Sequence, residues 1–422
     1  MNRDEIRRTY CGLGERGRVP CMIYEPANPA KRKRVGIVLM HSDDNYLEFL
    51  PAPELASRGY IVAAAAVSSP GELLEEKIWE LGEVVALLRN DPGVSKVVLF
   101  GHSGGATLMS AYQSIAENGP EIFRRDRLLS IGEVGDTPPA DGVMLLDSNF
   151  GNGVMSLLSL DPSVTDEETG MRRIAALNLF SPENGYDPYG CHYTPEFTAR
   201  FLRAQAERMN RIIDFCEERV AMIGRGMGRF ADDEPLLVPG GVQTAPCNKL
   251  FPQLPEVFSH TRRAYPLIHA GGSVENTVIP CRRVFRKGRD TLTSCREGAL
   301  STTVKNFLES SAVRVDPDTY RYDASELHGI DWTSSFCVTV GNAENLTVPM
   351  LLMGMTGSYE YIAAEHILEH AVRAKDKTIA FVEGASHNFT PAKEAERWPG
   401  EFGDTVKNCF DFADRWLSER FL

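Results

Sequence analysis

The run Gly101-His102-Ser103-Gly104-Gly105 sets one hydroxyl between glycines two positions away on either side. A serine hydroxyl is a weak nucleophile at neutral pH, so it needs a base to take its proton and donors to hold the negative charge that its attack creates. The spacing serves that chemistry. To lift a side chain off a sheet edge the chain must turn so sharply that the positions two before and two after have no room for a Cβ, which is what Gly101 and Gly105 offer. Gly104 supplies the next backbone N–H, at the first turn of a following helix, where unpaired amides favour negative charge. The flanks supply both elements: Val97-Val98-Leu99-Phe100 reads as a buried strand and the apolar run from Ala106 to Ala116 as a helix. Ser103 is the candidate nucleophile, and an oxyanion formed beside it would meet the amide of Gly104.

The base must be a histidine. Of the nine in the chain, His102 is too close in sequence to fold back on Ser103, and His366 and His370 share one predicted helix. His192, His260, His269 and His328 lie in a middle segment that could reach the site only from above. His387 stands in Glu383-Gly384-Ala385-Ser386-His387-Asn388-Phe389, the exit of the last apolar strand, Lys377 to Val382, and is the candidate base.

The glycine-flanked serine, entered by a strand and left by a helix, resembles the nucleophile elbow of the α/β-hydrolase superfamily. The resemblance covers roughly residues 18–147 and 346–422. It implies an α/β fold with a mostly parallel sheet, helices on both faces, a mainly helical cap insertion, and a catalytic triad that needs neither cofactor nor metal. In that superfamily the strand before the oxyanion loop ends in His-Gly, and the loop gives a second N–H to the oxyanion hole. Here Val35 to Met40 is followed by His41-Ser42-Asp43-Asp44-Asn45, with Ser42 in the glycine's place. By position the main chain of Asp43 is the first choice of donor and that of Ser42 the second. Two acids beside a site for negative charge are unhelpful unless they face solvent or a cationic group of the substrate. His41 reads first as an anchor of its own loop; substrate contact is the alternative role for it, and His102 is a further candidate for such contact.

The third triad member is a carboxylate that holds the imidazole's tautomer. Its usual place in the family is the loop after the seventh strand, here Met355 to Tyr361, whose one acid is Glu360. The alternative is Asp147, at the end of the sixth strand. Glu360 is taken first and Asp147 second.

The elements that must position these groups are legible in the spacing of apolar residues. Strands are expected at 19–25, 35–40, 60–67, 142–146, 348–354 and 377–382, and helices at 49–58, 72–89, 363–375 and 404–420. Such alternation gives right-handed crossovers and a parallel sheet covered on both faces. Residues 148–345 break it: a long amphipathic helix from Pro195 to Met222, a strand from Val278 to Phe285 and a helix at 302–309 stand among loops rich in Pro, Gly and Tyr. The expected organisation is a core from 1–147 and 346–422, with 148–345 as a cap or lid. Tyr186, Tyr189 and Tyr193 either line a pocket under that cap or pack its own core.

Composition narrows the function. A net charge of −13 argues against nucleic acid or an anionic membrane as partner. The nine cysteines form no Cys-x-x-Cys pair, so neither a disulfide framework nor a zinc site is suggested. The first residues carry no apolar core of a signal peptide and no run could span a bilayer, so a cytoplasmic protein is expected. A homodimer is compatible with the sequence, which does not decide the oligomeric state. The reading is a serine esterase-like hydrolase of a carboxylic ester, lactone or thioester of a medium-sized, partly apolar small molecule, acting through an acyl-enzyme. The alternatives are carbon–carbon bond hydrolysis or acyl transfer on the same triad, and a non-catalytic binding protein of this fold.

Overall fold

In the computed structural model, which describes residues 5–123, 127–242, 248–284 and 298–422, fourteen strands follow in chain order. They are β1 (Ile6–Leu13), β2 (Val19–Pro26), β3 (Val35–Met40), β4 (Ile61–Ala65), β5 (Lys96–Ser103), β6 (Gly142–Ser148) and β7 (Pro235–Pro239), then β8 (His260–Ile268), β9 (Val274–Pro280), β10 (Ala299–Thr303), β11 (Arg321–Tyr322), β12 (Leu327–His328), β13 (Met350–Met355) and β14 (Lys377–Val382). Ten of them form one sheet in the order β1-β2-β4-β3-β5-β6-β13-β14-β8-β9. From β4 through to β8 every neighbouring pair is parallel; β1, β2 and β9 run antiparallel to their neighbours.

Every residue of β3, β4, β6 and β13 is buried, as continuous apolar runs require when helices cover both faces. The period of two sorts their side chains. Ile37, Val98, Met144, Leu351 and Ala380 pack with α1 (Pro51–Ser57) and the C-terminal helix α9 (Thr405–Phe421). Val38, Val97, Leu99, Val143 and Leu352 face the other way, onto α2 (Leu74–Arg89) and α3 (Gly105–Asn118). The strand and helix expectations for 19–147 and 348–422 hold to within a few residues; the helix expected over 363–375 is shorter, α8 (Ala363–His370). The outer strand β1 was not anticipated: it is largely exposed and carries Arg7 and Arg8 in place of an apolar face.

Between β6 and β13 lie α4 (Asn152–Ser159), α5 (Pro195–Gly224), α6 (Val304–Ser310) and α7 (Thr339–Ala343). The side chain of Thr194 accepts a hydrogen bond from the amide of Phe197 and caps the 30-residue α5, whose buried stripe includes Phe201, Met209, Ile213 and Cys216. The segment 148–345 is not one covering unit, as its sequence suggested. Its hairpin β8–β9 prolongs the core sheet, with β8 pairing in parallel to β14 through Leu267 and Ile268. The strand expected at 278–285 lies earlier, and Phe285 falls outside the described residues. Among the described residues no helix is long and apolar enough to cross a membrane.

Candidate active site

β5 ends on Ser103, whose φ of 53° lies in the left-handed region. For a residue with a Cβ that conformation costs about 1–3 kcal/mol and persists only where its surroundings impose it. The imposition is visible at the glycines. A Cβ on Gly101 would stand 2.6 Å from the Cα of Ala106 as the helix folds back over its strand, and one on Gly105 would stand 2.8 Å from the carbonyl oxygen of Met40 on β3. Gly104 is the N-cap of α3, where a backbone N–H has no partner within the helix.

Two further non-glycine residues with left-handed φ flank the base: Asp147 at 46° and Phe389 at 69°. Asp147 closes β6, fully buried. Its Oδ1 accepts from the amide of Met355 at 2.8 Å, and its Oδ2 accepts from Nδ1–H of His387 at 2.7 Å. The carboxylate thus continues the pairing of β6 with β13 while holding the imidazole. The loop carrying His387 is tied down by the same strand end: the hydroxyl of Thr356 accepts from the amide of Gly384, and the carbonyl of Ala385 accepts from Gly357.

Glu360, the acid the sequence favoured, is also beside the imidazole, its Oε2 3.5 Å from Nδ1 of His387. That oxygen is buried and has no hydrogen-bond partner among the described residues. Burial pushes the Glu360 carboxyl up to about 7, against the pull of His387. Burial by itself would lower His387, but the charge of Glu360 and the bond to Asp147 outweigh it and raise the imidazole to about 9. Of the two acids weighed in the sequence, Asp147 makes the hydrogen bond to the imidazole, and Glu360, taken first there, stands at 3.5 Å. The three ligand atoms lie within 4.8 Å of one another, close enough to hold a cation, but the bond from Nδ1–H to Asp147 already uses two of them.

His102 is not a free neighbour of the serine. Its Nε2 lies 2.8 Å from the carbonyl oxygen of His387, an acceptor only, so Nε2 carries the proton and Nδ1 accepts from the hydroxyl of Tyr46 at 2.7 Å. Burial, reinforced by the charge of His387, holds His102 well below the usual imidazole range. Its ring stands 4.3 Å from that of His387, centroid to centroid. This neutral ring welds the base-bearing loop to the elbow, which makes Tyr46 a site residue that no motif announced.

A sheet in which Ser103 ends β5, Asp147 is next to last in β6 and His387 follows β14, with β4 and β3 crossed over before β5, has the expected architecture. The chain has the α/β-hydrolase fold. No protein-family model matches the sequence, and no curated protein matches it. Solved structures are similar at low identity. An α/β hydrolase, GrgF, from Penicillium sp. sh18 is 11% identical over 98% of both chains, with a TM-score of 0.43. A carboxyl esterase from Bacillus coagulans is 10% identical over 99% of both, with a TM-score of 0.39. Esterase B from Lactobacillus Rhamnosis is 10% identical over 99% of this chain and 87% of its own, with a TM-score of 0.39.

In this hydrolase fold the loop after β3 turns back on His41. The amides of Asp43 and Asp44 both point at Nδ1 of His41, at 3.2 and 3.0 Å. Nδ1 also lies 2.7 Å from Oδ1 of Asp43, and one ring nitrogen serves either the amides or the carboxylate, so Asp43 and Ser42 both stay in place as the second donor. The Ser42 hydroxyl accepts from Asn152 Nδ2 at 3.0 Å and donates to Asp43 Oδ1 at 3.0 Å. A Cβ on Gly104 would lie 2.7 Å from Asn152 Oδ1 and 3.1 Å from Ser42 Oγ, so Asn152, at the start of α4, crowds the elbow from the side of β6. His41 contacts its own loop through Nδ1 and also lines the cavity of Ser103.

Ser103 and His387 line one cavity of about 860 Å³ together with His41, Tyr46, Phe49 and His102. The two side chains share no direct hydrogen bond; such contacts are often long without substrate and close in the complex. The walls come from the core, chiefly residues 44–49, and none from the described residues of 148–345. The tyrosines expected to line it are elsewhere. Tyr193 stacks on Phe197 at 5.2 Å and donates to the carbonyl of Leu179, Tyr186 meets Phe180 edge-on, and Tyr189 is 75% exposed. The first two serve the insertion's own packing.

Proposed function

We propose that the protein is a serine hydrolase of a carboxylic ester. Ser103 Oγ attacks the acyl carbon while Nε2 of His387 takes its proton. Asp147, bonded to Nδ1, fixes the tautomer and stabilises the imidazolium, and the amide of Gly104 and that of Asp43 or Ser42 receive the oxyanion. His387 then returns the proton to the leaving alcohol. A water, deprotonated by the same imidazole, releases the acid from the acyl-enzyme.

The observation that carries this reading is the 2.7 Å bond from His387 to a fully buried, doubly bonded Asp147, on a loop opening into the same cavity as a serine held at positive φ. A binding protein that had lost its acid would have both carboxylates away from the imidazole, and here they stand at 2.7 and 3.5 Å. The experiment is labelling with a fluorophosphonate: the wild type reacts and the Ser103→Ala protein does not, with turnover of p-nitrophenyl esters falling by about 10³-fold or more. Equal labelling of the two proteins sinks the proposal. Hydrolysis in ¹⁸O water separates it from acyl transfer, since only hydrolysis puts label into the released acid.

A further inference from the structure

His41 and Asp44 face the cavity of Ser103, whereas Ser42 and Asp43, between them, line a second cavity of about 270 Å³. Its floor is core and its other wall is the insertion, from Leu300 to Ser311. It is therefore where the segment 148–345 approaches the elbow.

Its charged groups are arranged in an unusual way. Lys77 is 3% exposed and donates one hydrogen bond, to the carbonyl of Pro70 at 2.8 Å, its only one among the described residues. An ammonium has three donors, so two are left buried without an acceptor, which is costly. Asp43 presents the opposite: its carboxylate, 41% exposed, accepts from the Ser42 hydroxyl at Oδ1, while Oδ2 opens to the cavity with no partner among the described residues. Both line the same small cavity, yet they form no ion pair. Glu309, 1% exposed, accepts from the amide of Leu74, and burial, reinforced by the charge of Glu75, raises its carboxyl to about 8. Ser311, also buried, adds a hydroxyl that bonds to no described residue.

We propose that this cavity is a subsite for a neutral, hydroxyl-rich group, a glyceryl or single sugar unit, carried by the substrate. A hydroxyl both donates and accepts, so one ligand can fill the empty donors of Lys77 and the empty acceptor of Asp43 together. An anion would satisfy Lys77 and be repelled by Asp43, a cation would do the reverse, and an apolar group would leave both unsatisfied. Only the word substrate rests on the hydrolase reading; occupancy of the cavity does not. The shared wall explains how such a group would bear on the reaction, since Ser42 and Asn152 line this cavity and also abut Gly104.

Saturation-transfer NMR on the full chain tests it with glucose and glycerol as probes and cyclohexanol and acetate as controls. Transfer to a polyol is expected from the wild type and from Ser103→Ala alike. It should drop by about fivefold or more in Lys77→Met, one hydrogen bond to a charged group being worth at least that much. The drop in Ser311→Ala should be smaller, and this truncation guards against a Lys77→Met protein that melts early. The proposal is overturned by transfer to neither polyol, by unchanged transfer in both variants, or by a stronger response from acetate or cyclohexanol. Failure of fluorophosphonate labelling at Ser103 would remove the hydrolase reading and leave polyol binding standing; absent polyol transfer with intact labelling would do the opposite.

Discussion

The ends of β6 and β13 each bring a carboxylate to the same face of His387, and the two are not equivalent. Asp147 sits on the last turn of its strand with both oxygens bonded, one to the backbone of Met355 and one to the imidazole. Glu360 sits one loop further on, just as buried, with Oε2 bonded to no described residue and its carboxyl displaced upward by burial. Proximity alone would have ranked them nearly level. What separates them is hydrogen bonding: a carboxylate whose lone pairs are filled by fixed donors is a rigid anchor, whereas an unbonded one in a dry site tends to keep a proton.

The largest expected effect breaks the pair on its anchored side. Asp147→Asn preserves volume but offers His387 an amide, which can favour the wrong tautomer, and kcat should fall by about 10³–10⁴-fold. Glu360→Gln should cost about tenfold at most at the pH optimum, because a charge 3.5 Å away stabilises the imidazolium without orienting it. Steady-state kinetics on the two variants decides the matter. Should Glu360→Gln prove the more damaging, the two carboxylates have exchanged roles during turnover.

A smaller effect sharpens the comparison through pH. The proposed reaction uses neutral His387, and the charge of Glu360 is the leading cause that raises the imidazole to about 9. The ascending limb of kcat/KM should therefore lie on the alkaline side of an ordinary histidine. Removing the charge in Glu360→Gln lowers the imidazole, so the limb should move to lower pH. A pH–rate profile that stays in place, or moves upward, contradicts the assignment of Glu360 as the source of that shift.

How much of this was readable in advance follows the same division between local and distant causes. The elbow, its strand and helix, and the loop of His387 are set by steric and apolar patterns a few residues long, and they stand where the spacing put them. The choice of acid depends on which side chain meets the amide of Met355, more than two hundred positions from Asp147, and no local pattern carries that. The tyrosines of the insertion misled because a cluster of rings satisfies its own packing as readily as it lines a cavity. The hairpin β8–β9 was hidden by its exposure: Arg262 and Arg263 interrupt β8, and only its last two residues pair with β14.

The smallest expected effect lies at the joint that holds the base in reach of both acids. In Tyr46→Phe the ring remains but Nδ1 of the buried His102 loses its donor. A buried acceptor left unfilled costs about 1–3 kcal/mol, so thermal melting should fall. Two responses remain open to His102. If it keeps its proton on Nε2, the bond to the carbonyl of His387 survives, the base stays where it is, and kcat changes by about twofold or less. If the proton moves to Nδ1, the ring nitrogen and the carbonyl face each other as two acceptors and the loop is pushed away from the elbow. Because that second arrangement breaks a good bond without making another, the first should prevail: a lower melting temperature with nearly unchanged kcat. A large fall in kcat without loss of stability would mean that Tyr46 itself touches the reacting groups from the cavity it lines.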